Sequence, residues 1–428
     1  MATPVARLQH IIGPSQTRAR AKNMFALREG TVASPGARLT YLEVHAMGPA
    51  QEPLNEFKQP VIDVGEANKE VWVKAYDEED EPEKQKVYLV KTEDPDSAYN
   101  LIGKPSIMLD HHSEGWGQID VAVVLTRDRS QAANNGMHKF IAPAPEAARL
   151  VAIKKLNKEV IRQYLEKGGH EDPYKEVSRM QELGDGVHVL ECLEALEDED
   201  YLYIVSPYTS EGSLADRIDP GNGYPEAEAQ ALFRNILEIL LYLERHGIFH
   251  HDLSPDNFLF FKGRLILFDL AMSMRVPRLP NGNRFLITPQ GVYGTPPCLA
   301  PEIFLNRTPF DGVACDLWGA ATILYILLTG HPLYKLPHPT DRLFRYYILA
   351  GGLAPVPNEQ VVEMWQNAVN AQDNRTLAAF QANLNIPPDA RELLINLLRL
   401  RPGERWTLQQ AVDSTWVQSN MRRRQREG

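Results

Sequence analysis

The chain has 428 residues, of which 43% are hydrophobic and 24% charged, so it is long enough for about two to three globular domains. This composition excludes a wholly disordered chain and a fibrous one. The net charge is −11, with 45 Lys and Arg against 56 Asp and Glu, which argues against nucleic acid as the main partner and favours cationic partners or substrates. The longest apolar run, residues 320–329, is shorter than the roughly 20 residues that a membrane span requires.

Residues 1–55 are predicted to form a flexible basic arm. The first forty residues carry six Lys or Arg and one acid, Glu29, and they lack the apolar stretch of a secretory signal. An organelle transit peptide is the alternative interpretation. The three cysteines are scattered and odd in number, which favours a reducing, cytoplasmic location over a disulfide framework or a thiolate zinc site.

Residues 56–105 are predicted to form an N-terminal extension that contains a β-hairpin. Val71-Trp72-Val73 and Val87-Tyr88-Leu89-Val90 have strand character, and they flank the acidic stretch 77–83. The charged loop between them is either simply solvated, or it packs on the main domain or binds a basic partner.

Strand patterns dominate the next part of the chain. Runs rich in leucine and β-branched residues predict strands at residues 107–109, 119–125, 150–153 and 201–205. The gap at 126–149 is long for a hairpin and predicts a flexible insertion.

Helical patterns follow the last of these strands. Apolar residues from Ala229 to Leu243 recur at helical spacing and Gly247 follows as a stop, while residues 317–328 are apolar on nearly every face, as in a buried helix. Strands followed by helices predict an α+β fold in two lobes. We place a small β-rich lobe at 106–207, a large helical lobe at 208–418 and a basic tail at 419–428.

A first set of chemically suggestive residues lies around a predicted hairpin. Two apolar runs, 258–261 and 265–268, are separated by Lys262-Gly263, and pairing them would bring Asn257 and Asp269 to one end. Amide and carboxylate oxygens suit Mg²⁺. Asp252 lies one loop away, where it could accept a proton. A capping turn without catalytic role is the alternative.

A lysine on an apolar strand supplies the matching cation. Lys154 ends the run Val151-Ala152-Ile153, and a lysine on such a strand needs a partner. Glu176 begins a helical stretch and would hold the ammonium beside a bound phosphate. Lys155 is the rival, although strand alternation points it to the opposite face.

Together these segments resemble the eukaryotic protein kinases of the serine/threonine type, and they are most similar to the calmodulin-dependent group. The similar motifs follow one another in the kinase order across about residues 106–418. They are Val-Ala-Ile-Lys at 151–154, His-His-Asp with Asn257 at 250–257, Asp-Leu-Ala at 269–271, the segment 294–302 ending in Ala-Pro-Glu, Asp-Leu-Trp at 316–318 and the arginine motif at 401–407.

The resemblance implies a protein kinase that transfers the γ-phosphoryl group of ATP to Ser or Thr hydroxyls of protein substrates, with Mg²⁺ as the metal. It implies that Lys154, paired with Glu176, holds the α- and β-phosphates. Asp252 would orient and deprotonate the substrate hydroxyl, and Asn257 and Asp269 would hold Mg²⁺.

The resemblance also places the nucleotide's other contacts. Adenine would bond to the Pro207 carbonyl and the Thr209 amide, with Ser206 at the gatekeeper position and an open back pocket behind it. Gly115 would belong to a degenerate glycine-rich loop at residues 113–118, for which an ordinary turn is the alternative. The resemblance further implies that Thr295 contacts the catalytic aspartate, Asp252, as a bridging residue.

A buried pair between Glu302 and Arg405 is implied as a structural support of the activation segment. The segment 294–302 and Arg405 belong to a platform that docks peptides, which disfavours a kinase for small molecules.

Three residues depart from the family pattern. His251 replaces the catalytic-loop arginine, Ser254 a lysine near the transferred phosphate, and Ala271 the glycine after the metal-binding aspartate. None of these changes removes the four residues with implied roles in phosphate binding, proton transfer and metal binding, which are Lys154, Asp252, Asn257 and Asp269. We therefore expect an active, divergent enzyme. The alternative is a pseudokinase scaffold that binds nucleotide or partners without phosphoryl transfer.

Two expectations concern specificity and control. Asp256, Glu211 and Asp216, with the net charge of −11, favour substrates that carry basic residues near the target. Because His251 has neither the planar fork nor the permanent charge of arginine, a phosphate on Thr288 would gain little there. We therefore expect activity that does not depend on phosphorylation of the activation segment.

Overall fold

The computed structural model describes residues 44–45, 56–65, 69–74, 83–87, 89–90, 96–102, 107–109, 116–130, 139–144, 147–276, 284–354 and 359–419. The chain divides into two compact units. The strand-rich unit comprises Pro53–Ser210 and Ile266–Ser273, and the helical unit comprises Met1–Glu52, Glu211–Leu265 and Met274–Gly428.

Within the described residues the strands, in chain order, are β1 (Val44–His45), β2 (Ile62–Gly65), β3 (Lys69–Lys74), β4 (Glu83–Val87), β5 (Leu89–Val90), β6 (Ser97–Leu101), β7 (Ile107–Leu109), β8 (Gly117–Arg127), β9 (Lys139–Ile141), β10 (Leu150–Asn157), β11 (Glu194–Asp198), β12 (Tyr201–Pro207), β13 (Ile248–Phe249), β14 (Phe258–Phe261), β15 (Arg264–Leu267), β16 (Met274–Arg275) and β17 (Leu286–Ile287).

The α-helices of the same residues are α1 (Lys158–Glu166), α2 (Pro173–Leu183), α3 (Leu214–Arg217), α4 (Glu226–Arg245), α5 (Pro301–Leu305), α6 (Gly312–Thr329), α7 (Arg342–Phe344), α8 (Glu359–Asn370), α9 (Asn374–Leu384), α10 (Pro388–Leu397) and α11 (Leu408–Asp413). Short 3-10 helices cover Pro255–Asn257, Pro296–Cys298 and Pro402–Glu404, and a π-helical turn covers Arg345–Leu349.

One sheet organises the strand-rich unit. Its strands lie in the order β2-β11-β12-β10-β8-β9-β3-β4, and β6 and β7 also pair with β8. β10 runs antiparallel between β8 and β12, and Val151 and Ile153 on one of its faces are 1% and 0% exposed. Alternation along the strand therefore sends Ala152 and Lys154 to the other face.

The extension predicted at 56–105 is continuous with this sheet, since β2 to β6 all pair within it. The predicted hairpin is present as β3 and β4, with Val71 opposite Gln85, but its return strand begins at Glu83 instead of Val87. The prediction placed the return strand at the apolar run 87–90, whereas four of the five residues of β4, Glu-Lys-Gln-Lys-Val, are charged or polar. The acidic residues 77–82 lie outside the described residues.

The stretch 126–149, predicted to be a flexible insertion, contains a strand. β9 pairs with the end of β8 through Thr126 opposite Ile141, and with β3 through Trp72 opposite Lys139. Phe140 is fully buried, which explains why this short strand is fixed to the sheet.

Two long helices form the core of the helical unit, as the sequence predicts. α4 ends before Gly247, whose φ of 67° only glycine adopts readily. α6 begins at the N-cap Asp311 and has a mean hydropathy of 1.6 over 18 residues, so by length and composition it could cross a membrane. Because 89% of it is buried inside the protein, we interpret it as a core helix.

The predicted hairpin after the acidic loop is confirmed as β14 and β15. Its turn residues Lys262 and Gly263 have φ values of 52° and 75°, which suit the tight turns that match strand twist. In the helical unit, β1 pairs in parallel with β17, an arrangement that the irregular arm predicted for 1–55 did not include.

Candidate active site

The lysine of the strand-rich unit lies among carboxylates. Lys154 Nζ is 2.8 Å from Glu176 Oε2 and 3.7 Å from Asp269 Oδ1, so the predicted Lys154–Glu176 pair is present and Asp269 joins it. The Lys154 side chain is 16% exposed and that of Glu176 is 4% exposed. β10 carries the lysine and α2 carries the glutamate, so the pair links the sheet to the helix.

Burial and charge act in opposite directions on this lysine. Burial alone would lower the pKa of Lys154, but the carboxylates of Asp269, Glu176 and Glu171 more than offset it and raise the pKa. Burial also raises the pKa of Glu176, which Lys154 opposes. Lys154 therefore remains an ammonium at neutral pH, and it can act as a fixed positive charge but not as a base.

The neighbouring lysine has a different environment. Lys155 Nζ lies 3.9 Å from the centroid of the Tyr201 ring, where burial lowers the pKa of Lys155. It occupies the face of β10 opposite to Lys154, as strand alternation predicts. The geometry thus selects Lys154 as the phosphate-binding candidate.

The Asp-Leu-Ala motif has an unusual backbone. Asp269 has a φ of 60°, in the left-handed region that non-glycine residues seldom adopt, and such strain is common at functional sites. Ala271 is fully buried and lies outside the left-handed region, so alanine fits here without strain. Its carbonyl accepts a hydrogen bond from the Asp172 N–H at the start of α2, at 3.2 Å.

The proton-acceptor candidate of the helical unit is held by several hydrogen bonds. Asp252 Oδ1 accepts one from the Thr295 N–H and one from the Thr295 hydroxyl, both at 2.7 Å. Asn257 Nδ2 donates to the Asp252 carbonyl at 2.8 Å. The predicted Thr295–Asp252 contact is present, and the network fixes the position of the Asp252 carboxylate.

The loop before Asp252 is anchored to α6. The backbone N–H groups of His250 and His251 donate to the two carboxylate oxygens of Asp316, at 2.6 and 3.0 Å. Burial raises the pKa of Asp316 to about 6, which His250 opposes. At neutral pH a carboxylate on α6 therefore accepts both donors of the loop.

His251, which replaces the usual arginine, packs into an aromatic cluster. Its ring lies 5.4 Å from the Phe249 ring and stacks on the Phe310 ring at 5.8 Å, and the residue is 6% exposed. Its φ is 71°. The imidazole acts as a packing group here, and Ser254 is likewise buried, with 1% exposure.

The predicted pair between Glu302 and Arg405 is bidentate and buried. Arg405 Nη1 and Nη2 lie 2.6 and 2.8 Å from the two Glu302 carboxylate oxygens. The guanidinium also donates to the carbonyls of Ala314 and Arg399, at 3.1 and 2.8 Å. Burial alone would lower the pKa of Arg405, but the charge and hydrogen bonds of Glu302 more than offset this effect and raise the pKa.

The remaining predicted site residues are not brought together by these contacts. Asn257 belongs to the helical unit and Asp269 to the strand-rich unit, so their joint metal binding stays a prediction. Pro207 is the last residue of β12, opposite Val151, and Thr209 lies two residues beyond it; their contacts to adenine also stay predictions. Gly115 lies outside the described residues.

Gly117, beside that predicted loop, has a packing role. A Cβ at this position would lie 2.3 Å from the Lys155 carbonyl oxygen, so glycine permits β8 to approach β10. The sequence analysis placed this residue within the degenerate glycine-rich loop at residues 113–118.

Sequence reasoning missed an anchor of the activation segment. The Arg284 guanidinium bridges Glu244 Oε1, at 2.7 Å, and Asp311 Oδ2, at 3.0 Å. Ile287 and Phe310 exchange two backbone hydrogen bonds of 2.8 and 2.9 Å. Arg284 belongs to none of the motifs named in the sequence analysis, and its partners lie 40 and 27 residues away in the sequence.

Comparison with known proteins agrees with this geometry. Residues 141–417 match the family described as "Protein kinase domain", and the match begins beyond the loop of Gly115. The chain is 28% identical to calcium-dependent protein kinase 24 of Arabidopsis thaliana over 272 residues, which are 63% of this chain and 40% of that protein. It is 28% identical to CBL-interacting protein kinase 30 of Oryza sativa subsp. japonica over 273 residues, 63% of this chain and 48% of that protein.

A third relative, calcium/calmodulin-dependent protein kinase type 1 of Macrobrachium nipponense, is 29% identical over 191 residues, 44% of this chain and 51% of that protein. The chain thus spans about two fifths to one half of the length of these curated relatives. The family match covers more than half of the chain and includes the lysine, the acidic loop and the buried arginine. The chain belongs to the protein kinase family.

Proposed function

We propose that the protein is an ATP-dependent serine/threonine protein kinase. The observation that carries the proposal is the fixed carboxylate of Asp252. Both hydrogen bonds from Thr295 reach Oδ1, whereas Oδ2 has a 3.4 Å contact with Asn257 Nδ2 and can accept from a substrate hydroxyl. A carboxylate held in this way suits a group that accepts a proton during transfer.

The proposed reaction needs positioning and charge neutralisation more than covalent help from the protein. The substrate oxygen attacks the γ-phosphorus, the bond from that phosphorus to the β–γ bridging oxygen breaks, and ADP leaves. Asp252 takes the proton of the hydroxyl. Lys154, whose pKa is raised by the carboxylates around it, supplies a fixed positive charge for the nucleotide's phosphates.

Asn257 and Asp269 each carry an oxygen donor of the kind that magnesium binds. The Asn257 side chain donates to the Asp252 carbonyl through Nδ2. Its amide oxygen points away from that bond and is a neutral, hard ligand. The Asp269 side chain is 31% exposed and supplies a charged oxygen ligand. In this proposal Asn257 and Asp269 hold Mg²⁺, which neutralises charge on the phosphates when it is bound.

We further propose a preference for substrates with basic residues near the target. Asp216 and Glu211, two of the acids that suggested it, make defined contacts within the protein. Asp216 completes the capping box of α3 with Ser213, and Glu211 accepts from the Gly263 N–H at 3.3 Å. The preference is proposed on the position of Asp256 beside the catalytic loop and on the net charge of −11.

A peptide library with Ser, Thr or Tyr acceptors, incubated with Mg²⁺ and ATP, tests both proposals. We expect labelling of Ser and Thr peptides, and faster labelling of those with basic flanking residues.

Two variants test the preference for basic residues. Asp256→Asn should weaken that preference, whereas the matched charge change Glu238→Gln, at a 56% exposed side chain, should not. Labelling confined to Tyr would contradict the function, and equal rates on acidic and basic libraries at modest salt would contradict the preference. Nucleotide binding without transfer would identify a pseudokinase scaffold.

A further inference from the structure

A segment N-terminal to the matched kinase region lies along helix α2. Residues 56–65, here called the strap, belong to the same compact unit as α2. Ser178 Oγ donates to the Glu56 carbonyl at 2.9 Å. Gln181 binds the strap backbone twice: its Nε2 donates to the Gln59 carbonyl at 2.9 Å, and its Oε1 accepts from the Gln59 N–H at 3.1 Å. The helix and the strap are thus joined by polar contacts of defined direction.

The strap also binds the C-terminal end of the helix. Lys58 Nζ donates to the Glu182 carbonyl at 3.0 Å. Carbonyls in the last turn of a helix have no partner within the helix, and a cation there is favoured by the helix dipole. The strap therefore satisfies a group that α2 cannot satisfy by itself.

The second half of the strap is anchored in the core of the sheet. As β2 it pairs in parallel with β11, with Ile62 opposite Leu196. Val64 is fully buried, in one cluster with Val151 and Ile153 of the strand that carries the lysine. The strap thus bridges two elements: the helix that bears Glu176 and the sheet that bears its partner.

The covered helix is polar for its degree of burial. Its sequence is PYKEVSRMQEL, yet eight of its eleven residues are buried. Ser178 and Arg179 are 1% and 2% exposed, and Ser178 has its hydroxyl on the strap. Two of its buried polar side chains have defined partners: the Ser178 hydroxyl donates to the strap, and the Glu176 carboxylate binds Lys154.

We propose that the strap is a positioning element that holds α2 where Glu176 pairs with Lys154. Release of the strap would shift α2 toward positions in which the Lys154–Glu176 pair is broken. The rate of phosphoryl transfer would then fall in proportion to the fraction of molecules that lose the pair. This inference rests on the proposed kinase function. Gln181, which makes two of the strap contacts, acts through Glu176 and does not contact the reacting atoms.

The test uses the full chain with Gln181→Ala, which removes both bonds to Gln59. Gln163→Ala is the matched control, because the side chain of Gln163 is exposed on α1 and bonds to Glu159 of its own helix. Two quantities are measured: hydrogen exchange of the α2 amides, and kcat/KM for peptide phosphorylation with and without the additional change Glu176→Gln. This second background shows whether the strap acts through the ion pair.

We expect Gln181→Ala to speed exchange in α2 and to lower kcat/KM about tenfold, with Gln163→Ala unchanged in both. In the Glu176→Gln background, Gln181→Ala should lower kcat/KM less than about twofold, because the pair it supports is already lost. An equal fall in both backgrounds, or unchanged exchange in α2, would overturn the proposal. If the parent chain transfers no phosphate while Gln181→Ala speeds exchange, the kinase function fails and the strap's hold on α2 is supported.

Discussion

The buried pair between Glu302 and Arg405 allows a quantitative prediction of stability. The side chain of Arg405 is 1% exposed and that of Glu302 is 8% exposed. Arg405→Met keeps the length and apolar stem of the residue but removes two bonds to Glu302 and two bonds to backbone carbonyls. The Glu302 carboxylate then remains buried without its cation, which costs about 3–5 kcal/mol.

Equilibrium unfolding in urea, followed by tryptophan fluorescence, measures this loss. Trp318 is a suitable reporter, since its ring lies 4.7 Å from the Arg405 guanidinium carbon. With a slope of about 3 kcal/mol per M, the midpoint should fall by about 1–2 M. Arg401→Met is the matched control, because Arg401 is 76% exposed and pairs with the 51% exposed Glu404. Such a surface pair contributes about 0–1 kcal/mol.

A double variant distinguishes the loss of the pair from the loss of packing. Replacing both partners by methionine removes the unpaired buried charge, so Glu302→Met combined with Arg405→Met should be more stable than Arg405→Met alone. If Arg405→Met and Arg401→Met shift the midpoint equally, or if the double variant loses the sum of the single losses, the reasoning about buried charge is wrong.

Two further predictions concern catalysis and its control. Lys154→Met should lower kcat by about 10²–10³-fold, the effect of removing one preorganised charge. Lys155→Met should leave kcat within the order of magnitude of the parent chain. If a peptide phosphorylation assay gives the reverse ranking, Lys155 binds the phosphates. Phosphatase treatment and Thr288→Ala should each lower the rate less than tenfold, which corresponds to about 1.4 kcal/mol, because the ion pairs of Arg284 already hold the activation segment in place. Arg284→Gln should lower the rate more than Thr288→Ala does. A tenfold loss of rate after phosphatase treatment would contradict this account.

Local rules and the resemblance to the protein kinases predicted different parts of the site. Strand alternation is a local property, so the sequence alone places Lys154 and Lys155 on opposite faces of β10. Fixed-order motifs identified Asp252 with Thr295, and they also paired Glu302 with Arg405. For these two pairs, the resemblance to the protein kinases named the partner.

The contacts that could not be predicted depend on partners far away in the chain. The strap binds α2 through backbone carbonyls and N–H groups, which every residue has, so no side-chain pattern marks Glu56 or Gln59 as contacts. β4 pairs with β3 although four of its five residues are charged or polar, because backbone hydrogen bonds, which every residue can make, join the two strands. Arg284 likewise has an ordinary sequence context, and its role follows from the fold that brings Glu244 and Asp311 to it.

The central claim is that Asp252 takes part in transfer of the γ-phosphoryl group of ATP to a Ser or Thr hydroxyl. The most direct measurement is a single-turnover transfer of γ-labelled phosphate from ATP to a serine peptide, with Mg²⁺, by the parent chain and by Asp252→Asn. The amide retains an oxygen that can accept both bonds from Thr295, so the loop should keep its geometry while the proton acceptor is lost. We predict measurable transfer by the parent chain and a loss of about 10²–10⁴-fold in Asp252→Asn. Equal rates in the two proteins, or a parent chain that binds ATP and transfers nothing, would contradict the account.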